Sequence, residues 1–374
     1  MNGLFALGSN GSGQLGIGHK EDVSVPKQVE FIGEAPDDEI VQIAAGGNHS
    51  IIVTETGKAY WSGDSSSGAC GIVKDAGDTD ASKFHELILS TSEHLGPVAH
   101  VACTWDSSVI VLKDEDNRAT QVYTCGVPDI GAACANSESA TLETPALLNN
   151  FPPSGTEVRS LAAGFRHVVV LLDNGDVYGW GNGRKGQLGE LADTADSKGV
   201  IHHPQKIKGI PFKVSDAVCC QYTTCFVSEP GDGRIIVVGA DKWGLKSAAP
   251  VEIPNWNTIG ASWGSIYVLQ RNGQLVAWGR DDHGQLPPLL LPELENVAAG
   301  SEHVLALTKD GDVLSWGWGE HGNCGPQTEK YGDVKGRWNV LASLKNMPEG
   351  SKITAIGAGC ATSWINITTE GLYL

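Results

Sequence analysis

Between residues 158 and 188 short apolar stretches alternate with turn residues, and this segment serves as a template for the chain. Val158–Ala163 reads as a strand whose small end, Ala162 and Ala163, suits a crowded centre. His167–Leu172 is a second, almost wholly apolar strand. Asp173-Asn174-Gly175-Asp176 is a tight turn, because Asn-Gly adopts the positive φ values that two-residue hairpins need. Residues 177–180 form a third strand, 181–189 a glycine loop, and a strand near 204–210 is expected on the outer edge, where Pro204 is tolerated.

Two motifs repeat this unit along the chain. Gly-x-x-x-x-Gly occurs at Gly8/Gly13, Gly63/Gly68, Gly126/Gly131, Gly181/Gly186, Gly239/Gly244, Gly279/Gly284 and Gly317/Gly322. Ala-Ala-Gly-x-x-His alternates with it, cleanly at residues 44–49, 162–167 and 298–303 and in degenerate form at 102–107, 218–223, 260–265 and 358–362. First-glycine spacings of 38 to 63 residues, with short strands between, predict an all-β, seven-bladed β-propeller of four-stranded blades in one domain spanning 1–374.

The repeats start and end out of phase. Residues 353–367 supply two inner strands with little chain after them, while 3–7 looks like a third strand and 27–31 like a fourth. The last blade is therefore expected to be closed by both termini, with 3–7 beside 363–367, which removes the free edge. Residues 371–374 compete for the same position. In such blades the first and third turns share a face, so the Gly-x-x-His turns and the glycine loops are expected together, opposite the plain hairpins.

Charge narrows the function. The 374 residues carry 44 acidic and 26 basic side chains, a net charge of −18, and no basic run, which argues against a phosphate-tracking surface. No apolar run approaches the roughly 20 residues of a spanning helix. The amino end lacks a secretory pattern and the nine cysteines include no Cys-x-x-Cys pair, so a cytoplasmic or nuclear protein without a metal or cofactor of its own is expected.

Aromatic residues at turn positions are the first candidates for a binding site. Trp105 and Trp263, with Phe165, occupy equivalent places after the turn's anchor, where a ring either meets a partner or folds against the next blade. The segment 316–327 is denser still: Trp316 reads as core, whereas Trp318, Glu320, His321 and Asn323 fall in the loop. Glu320-His321 could act as an acid–base pair, but without a nucleophile it reads equally as a loop network. His49, His167 and His303 are spread around the ring and are expected to bond within their own turns rather than share a metal. Cys219-Cys220 reads as buried and inert, and Cys324 as a loop thiol with only His321 near it to activate it. Together Trp105, Asp106, Trp263, Glu302, His303, Trp318, Glu320, His321 and Asn323 are the predicted partner surface, with no catalytic residue.

Ala-x-Gly-x-x-His and Gly-Trp-Gly-x4-Gly-Gln-Leu-Gly resemble the repeats of the regulator of chromosome condensation family over the whole chain. Residues 316–327, Asn48-His49, Trp105-Asp106, Ser301-Glu302-His303 and 359–364 resemble a fungal branch of it. That resemblance implies a non-enzymatic protein in heterodimer with the small zinc-ribbon protein of diphthamide biosynthesis. Through that partner it implies support of Elongator-dependent wobble-uridine modification in transfer RNA and of diphthamide synthesis on elongation factor two. The family's other known activity, nucleotide exchange on a Ran-like GTPase, is the alternative.

Overall fold

The computed structural model describes residues 3–73, 79–92, 95–127, 142–191 and 199–369. Seven antiparallel sheets form the blades of a propeller, numbered I to VII from Ile40. Blade III follows the template, with Val158–Ala163, His167–Leu172, Val177–Asn182 and Val200–Lys206 in order from the centre outwards. Its outer strand begins four residues before the expected one and keeps Pro204 on the open edge, where no ladder N–H is needed. Two 3₁₀ turns, Lys242–Gly244 and Leu344–Asn346, are the helical segments among the described residues.

Sandwiching explains the composition of the second strands. His49–Thr54, His167–Leu172 and His303–Thr308 are buried at every position because each has a blade on both sides. A continuous apolar run therefore replaces the half-polar alternation of a solvated sheet. Tryptophans of the third strands fill the wider outer space and reach back to the preceding blade. Trp278 Nε1 donates to Leu245 O at 2.9 Å and Trp316 Nε1 to Gln285 O at 3.0 Å. Leu245 and Gln285 occupy the same place, directly after a loop's second glycine.

Blades IV and V are thinner, with three strands each. Only nine residues lie between Gly284 and Leu294, and Pro287 and Pro288 among them carry no N–H, so the chain cannot run out and back as an outer strand. The third strand of blade V, Leu275–Gly279, is consequently half-exposed along most of its length, and Leu289 and Leu290 stand in solvent.

Both termini build blade VII. Gly3–Gly8 lies between Thr362–Thr369 and Val23–Gln28, with Gly3 opposite Ile367 and Leu7 opposite Ser363. The fourth strand again begins four residues before the expected 27–31, and residues 371–374 lie outside the described residues. Leu4, Ala6 and Leu7 are fully buried. Deleting residues 1–7 should lower the melting temperature by several degrees or more and promote aggregation, since two buried leucines alone are worth about 3–6 kcal/mol and an edge is unpaired. Calorimetry of the truncated chain checks this; a melt superimposable on the parent would mean that the seam carries no load.

Candidate functional site

The site is built by the two motifs acting on each other. In every blade the residue after the loop's first glycine donates its N–H to the carbonyl of the residue preceding the histidine position: Asn182 to Arg166 O at 2.7 Å, Trp318 to Glu302 O at 2.9 Å, and the same bond at Ser9, Asp64, Val127, Ala240 and Arg280. The first glycine lies against that carbonyl; a Cβ at Gly181 would stand 2.6 Å from Arg166 O, and φ there is +94°. Glycine is required on both counts. Turn and loop are thus locked together on one face, opposite the exposed hairpin residues Asn174 and Asn272.

A second set of bonds joins neighbouring blades. His49 Nε2 meets Ser108 Oγ, His167 Nε2 meets Thr224 Oγ1 and His303 Nε2 meets Ser363 Oγ, each at 2.9 Å. These histidines therefore tie blades I to II, III to IV and VI to VII rather than bonding within their own turns. Burial pushes their pKa values down to about 4, 3 and 4 respectively. His303 is fully buried and cannot belong to a partner surface, contrary to expectation.

At the channel mouth the aromatic turn residues close over one another. Ring centroids lie 5.2 Å apart for Trp105 and Phe165, 5.4 Å for Phe165 and Trp263, and 5.8 Å for Trp105 and Trp263. All three are half-buried, so they are neither core nor free. Trp105 lies flat over Gly47, where any Cβ would strike the indole. Beneath them is a cavity of about 150 Å³ lined mainly by Gly, Ala, Ser and Cys.

Charged groups surround this cap. Glu302 is buried and accepts from Arg280 Nη1 and, at 2.7 Å, from Gln285 Nε2; burial nevertheless raises its pKa. Arg280 also bonds Asp282 at 2.6 Å and lies 4.9 Å from the ring centre of Trp243, which sits over Gly264 as Trp105 sits over Gly47. Farther out, Trp318 meets His321 edge-on at 5.3 Å, and His321 Nδ1 pairs with Asp22 at 2.7 Å, linking blade VI to the amino-terminal segment. Glu320 is exposed in the same loop.

Of the nine predicted residues, Trp105, Asp106, Trp263, Trp318, Glu320 and His321 reach this face, with Glu302 sealed just below it. Asn323 does not: it is fully buried and its amide donates to Trp318 O at 2.8 Å, fixing the loop from beneath. Cys324 is likewise buried rather than available on the loop, its thiol pushed up to about 12. Trp243, Arg166 and Arg280 were not singled out in the sequence. Their signal was positional, since Trp243 precedes a loop's second glycine exactly as His283 and His321 do. Among the described residues no group of three or more His, Cys, Asp or Glu is placed to hold a metal, and no helix is long and apolar enough to cross a membrane.

The repeats decide the lineage. Residues 3–365 match the RCC1-like domain family. The chain belongs to it. An RCC1 repeat-containing protein of Schizosaccharomyces pombe is 31% identical over 294 residues, covering 75% of this chain and 78% of that protein. The mouse secretion-regulating guanine nucleotide exchange factor is 27% identical over 302 residues, 76% of this chain but 61% of that one. Among solved structures, Prp20p of Saccharomyces cerevisiae, described with its binding to Gsp1p and histones, superposes with a TM-score of 0.80 at 20% identity, covering 99% of this chain and 92% of that one. Human WBSCR16 gives 0.76 at 17% identity, covering all of both chains. These two establish the shared fold.

The buried histidines give a pH prediction. Their folded pKa values lie below the ordinary 6.5, so their contribution is full above about pH 6.5 and is lost as pH falls towards 4. Each can add a slope of up to about 1.4 kcal/mol per pH unit in that window. Burial raises the pKa values of the Asp106, Asp216 and Glu302 carboxyls, so these groups act in the opposite sense, adding stability as they take up protons in acid. Denaturant titrations at pH 7.5, 6 and 5 should show falling stability, and His167→Gln should lessen the fall; identical midpoints across that range would refute it.

Proposed function

We propose that this protein is a non-enzymatic binding partner of the small zinc-ribbon protein of diphthamide biosynthesis. In that role it supports Elongator-dependent wobble-uridine modification of transfer RNA and diphthamide synthesis on elongation factor two. The supporting observation is the asymmetry of the propeller: one face gathers Trp105, Trp263, Trp318 and their flanking charges, while the other carries hairpin turns, with Leu289 and Leu290 exposed beside that at Asn272. Partly exposed tryptophans beside charged groups are what interface centres are made of. The likeness of residues 316–327 and of the turn segments to the fungal alpha-tubulin suppressor directs the choice of partner. A small partner covers only part of the ring, and the arc from Trp263 to His321 is its footprint in this reading.

A second reading, nucleotide exchange on a Ran-like GTPase, is favoured by the activity named for the mouse relative. The two separate directly in vitro. Titration calorimetry with the zinc-ribbon protein should give a one-to-one complex, while release of a fluorescent nucleotide from the GTPase stays at its spontaneous rate. Accelerated release without zinc-ribbon binding would reverse the assignment.

Within the first reading Trp318→Ala should weaken the complex by roughly 30- to 1,000-fold, the usual 2–4 kcal/mol of a central tryptophan, with little change in melting temperature. Asn174→Ala and Asn272→Ala, on the other face, should bind like the parent. Equal affinity of Trp318→Ala and the parent would remove this arc from the interface.

A further inference from the structure

Two carboxylates occupy equivalent positions at the channel mouth, and the fold completes only one of them. Glu302 has both an arginine and a glutamine amide bonded to it. Asp106 has Arg166 Nη2 at 3.7 Å, too far for a hydrogen bond, and its Oδ1 is buried with no partner. Arg166 does not close the gap because its guanidinium lies on Phe165, 5.2 Å from the ring centre, and its Nε is also buried without a partner. A polar atom left in this state costs about 1–3 kcal/mol.

What Asp106 lacks can be specified. Burial raises its pKa, as it does that of Glu302, and Arg166, the backbone and Ser107 offset the burial only in part. Its Oδ1 is enclosed, but the side chain keeps 17% of its surface, so Oδ2 is the oxygen that a ligand reaches from solvent. Trp105, its chain neighbour, and Trp263 present half-buried rings over the mouth beside it. A carboxylate next to indole faces favours a cation that can bond and stack at once. A planar guanidinium does both, through an N–H to Oδ2 and through its face to the rings. The net charge of −18 adds long-range attraction for a basic group.

We propose that the channel mouth formed by Trp105, Phe165 and Trp263, with Asp106 at its rim, is the seat for an arginine side chain carried by a partner protein. This rests on the reading of the loaded face as a partner surface and adds the chemistry the partner must bring there. Arg166 stays on Phe165, and the incoming guanidinium bonds Asp106 from the solvent side.

A fragment tests the seat without any partner. Butylguanidinium chloride is titrated into ¹⁵N-labelled protein while the indole N–H signals of Trp105 and Trp263 are followed, with butanol and sodium chloride as controls. The expected result is a saturable shift of both signals with the guanidinium alone. Asp106→Asn, which keeps the shape, should weaken it at least about tenfold, the effect of one charge-assisted bond. Asp176→Asn, a surface acid paired with Lys206 beside the opposite-face hairpin, should leave it unchanged, and matching melting curves would show both variants folded. Equal shifts with butanol, or an Asp106→Asn protein that responds like the parent, would overturn the seat. Guanidinium binding together with no affinity for the zinc-ribbon protein would sink that partner and leave the seat standing. Zinc-ribbon binding with no guanidinium response would do the reverse.

Discussion

One backbone carbonyl per blade, that of the residue before the histidine position, organises the whole upper layer. It accepts the N–H that follows the loop's first glycine, and the absence of a side chain on that glycine lets the two segments touch. With this bond made, the turn between the first two strands and the loop beyond the third become one rigid unit. Everything displayed above it, from Trp105 to His321, inherits its position from that contact. A bulkier first residue in the loop would push turn and loop apart and move the display as a whole.

Closure of the ring is a separate problem, solved with different bonds at different joints. Backbone bonds between successive turns join blades I to II, II to III, IV to V, V to VI and VI to VII, as in Trp105 N to Phe165 O and Trp263 N to Ser301 O. Blades III and IV are joined through His167 and Thr224, and blades VII and I through Ser62 Oγ, which donates to Gly13 O at 2.6 Å. The histidines recur in the sequence for this reason. A neutral imidazole reaches across the joint to a hydroxyl, and burial keeps it neutral.

The parts of this architecture written in local backbone demands were legible from sequence. Glycine spacing reported the loops because both glycines take positive φ, +94° at Gly181 and +76° at Gly186, which few other residues tolerate. The seam was legible because strand phase is local, and Gly3 does face Ile367. Outer strands were misplaced by four residues in blades III and VII, since an edge strand imposes no apolar pattern strong enough to fix its register. His303 and Asn323 were misjudged for a related reason. A polar residue in a loop motif looks exposed until the neighbouring blade is in place, and both are held beneath the face they were assigned to.

The same layering separates stability from recognition. Beneath the face, the polar groups that tie turn, loop and blade bond inside the protein, as His49 does to Ser108, Asn323 to Trp318 O and Ser62 to Gly13 O. On the face, the aromatic rings touch mainly one another, and the Asp106–Arg166 pair is left at 3.7 Å. Groups that must hold a blade cannot also yield to a ligand, because the bond they would surrender is buried and costly to leave unmade. That places variation in partner choice on the residues between the turn carbonyls and solvent, while the glycines and histidines below stay bound to the geometry of the ring.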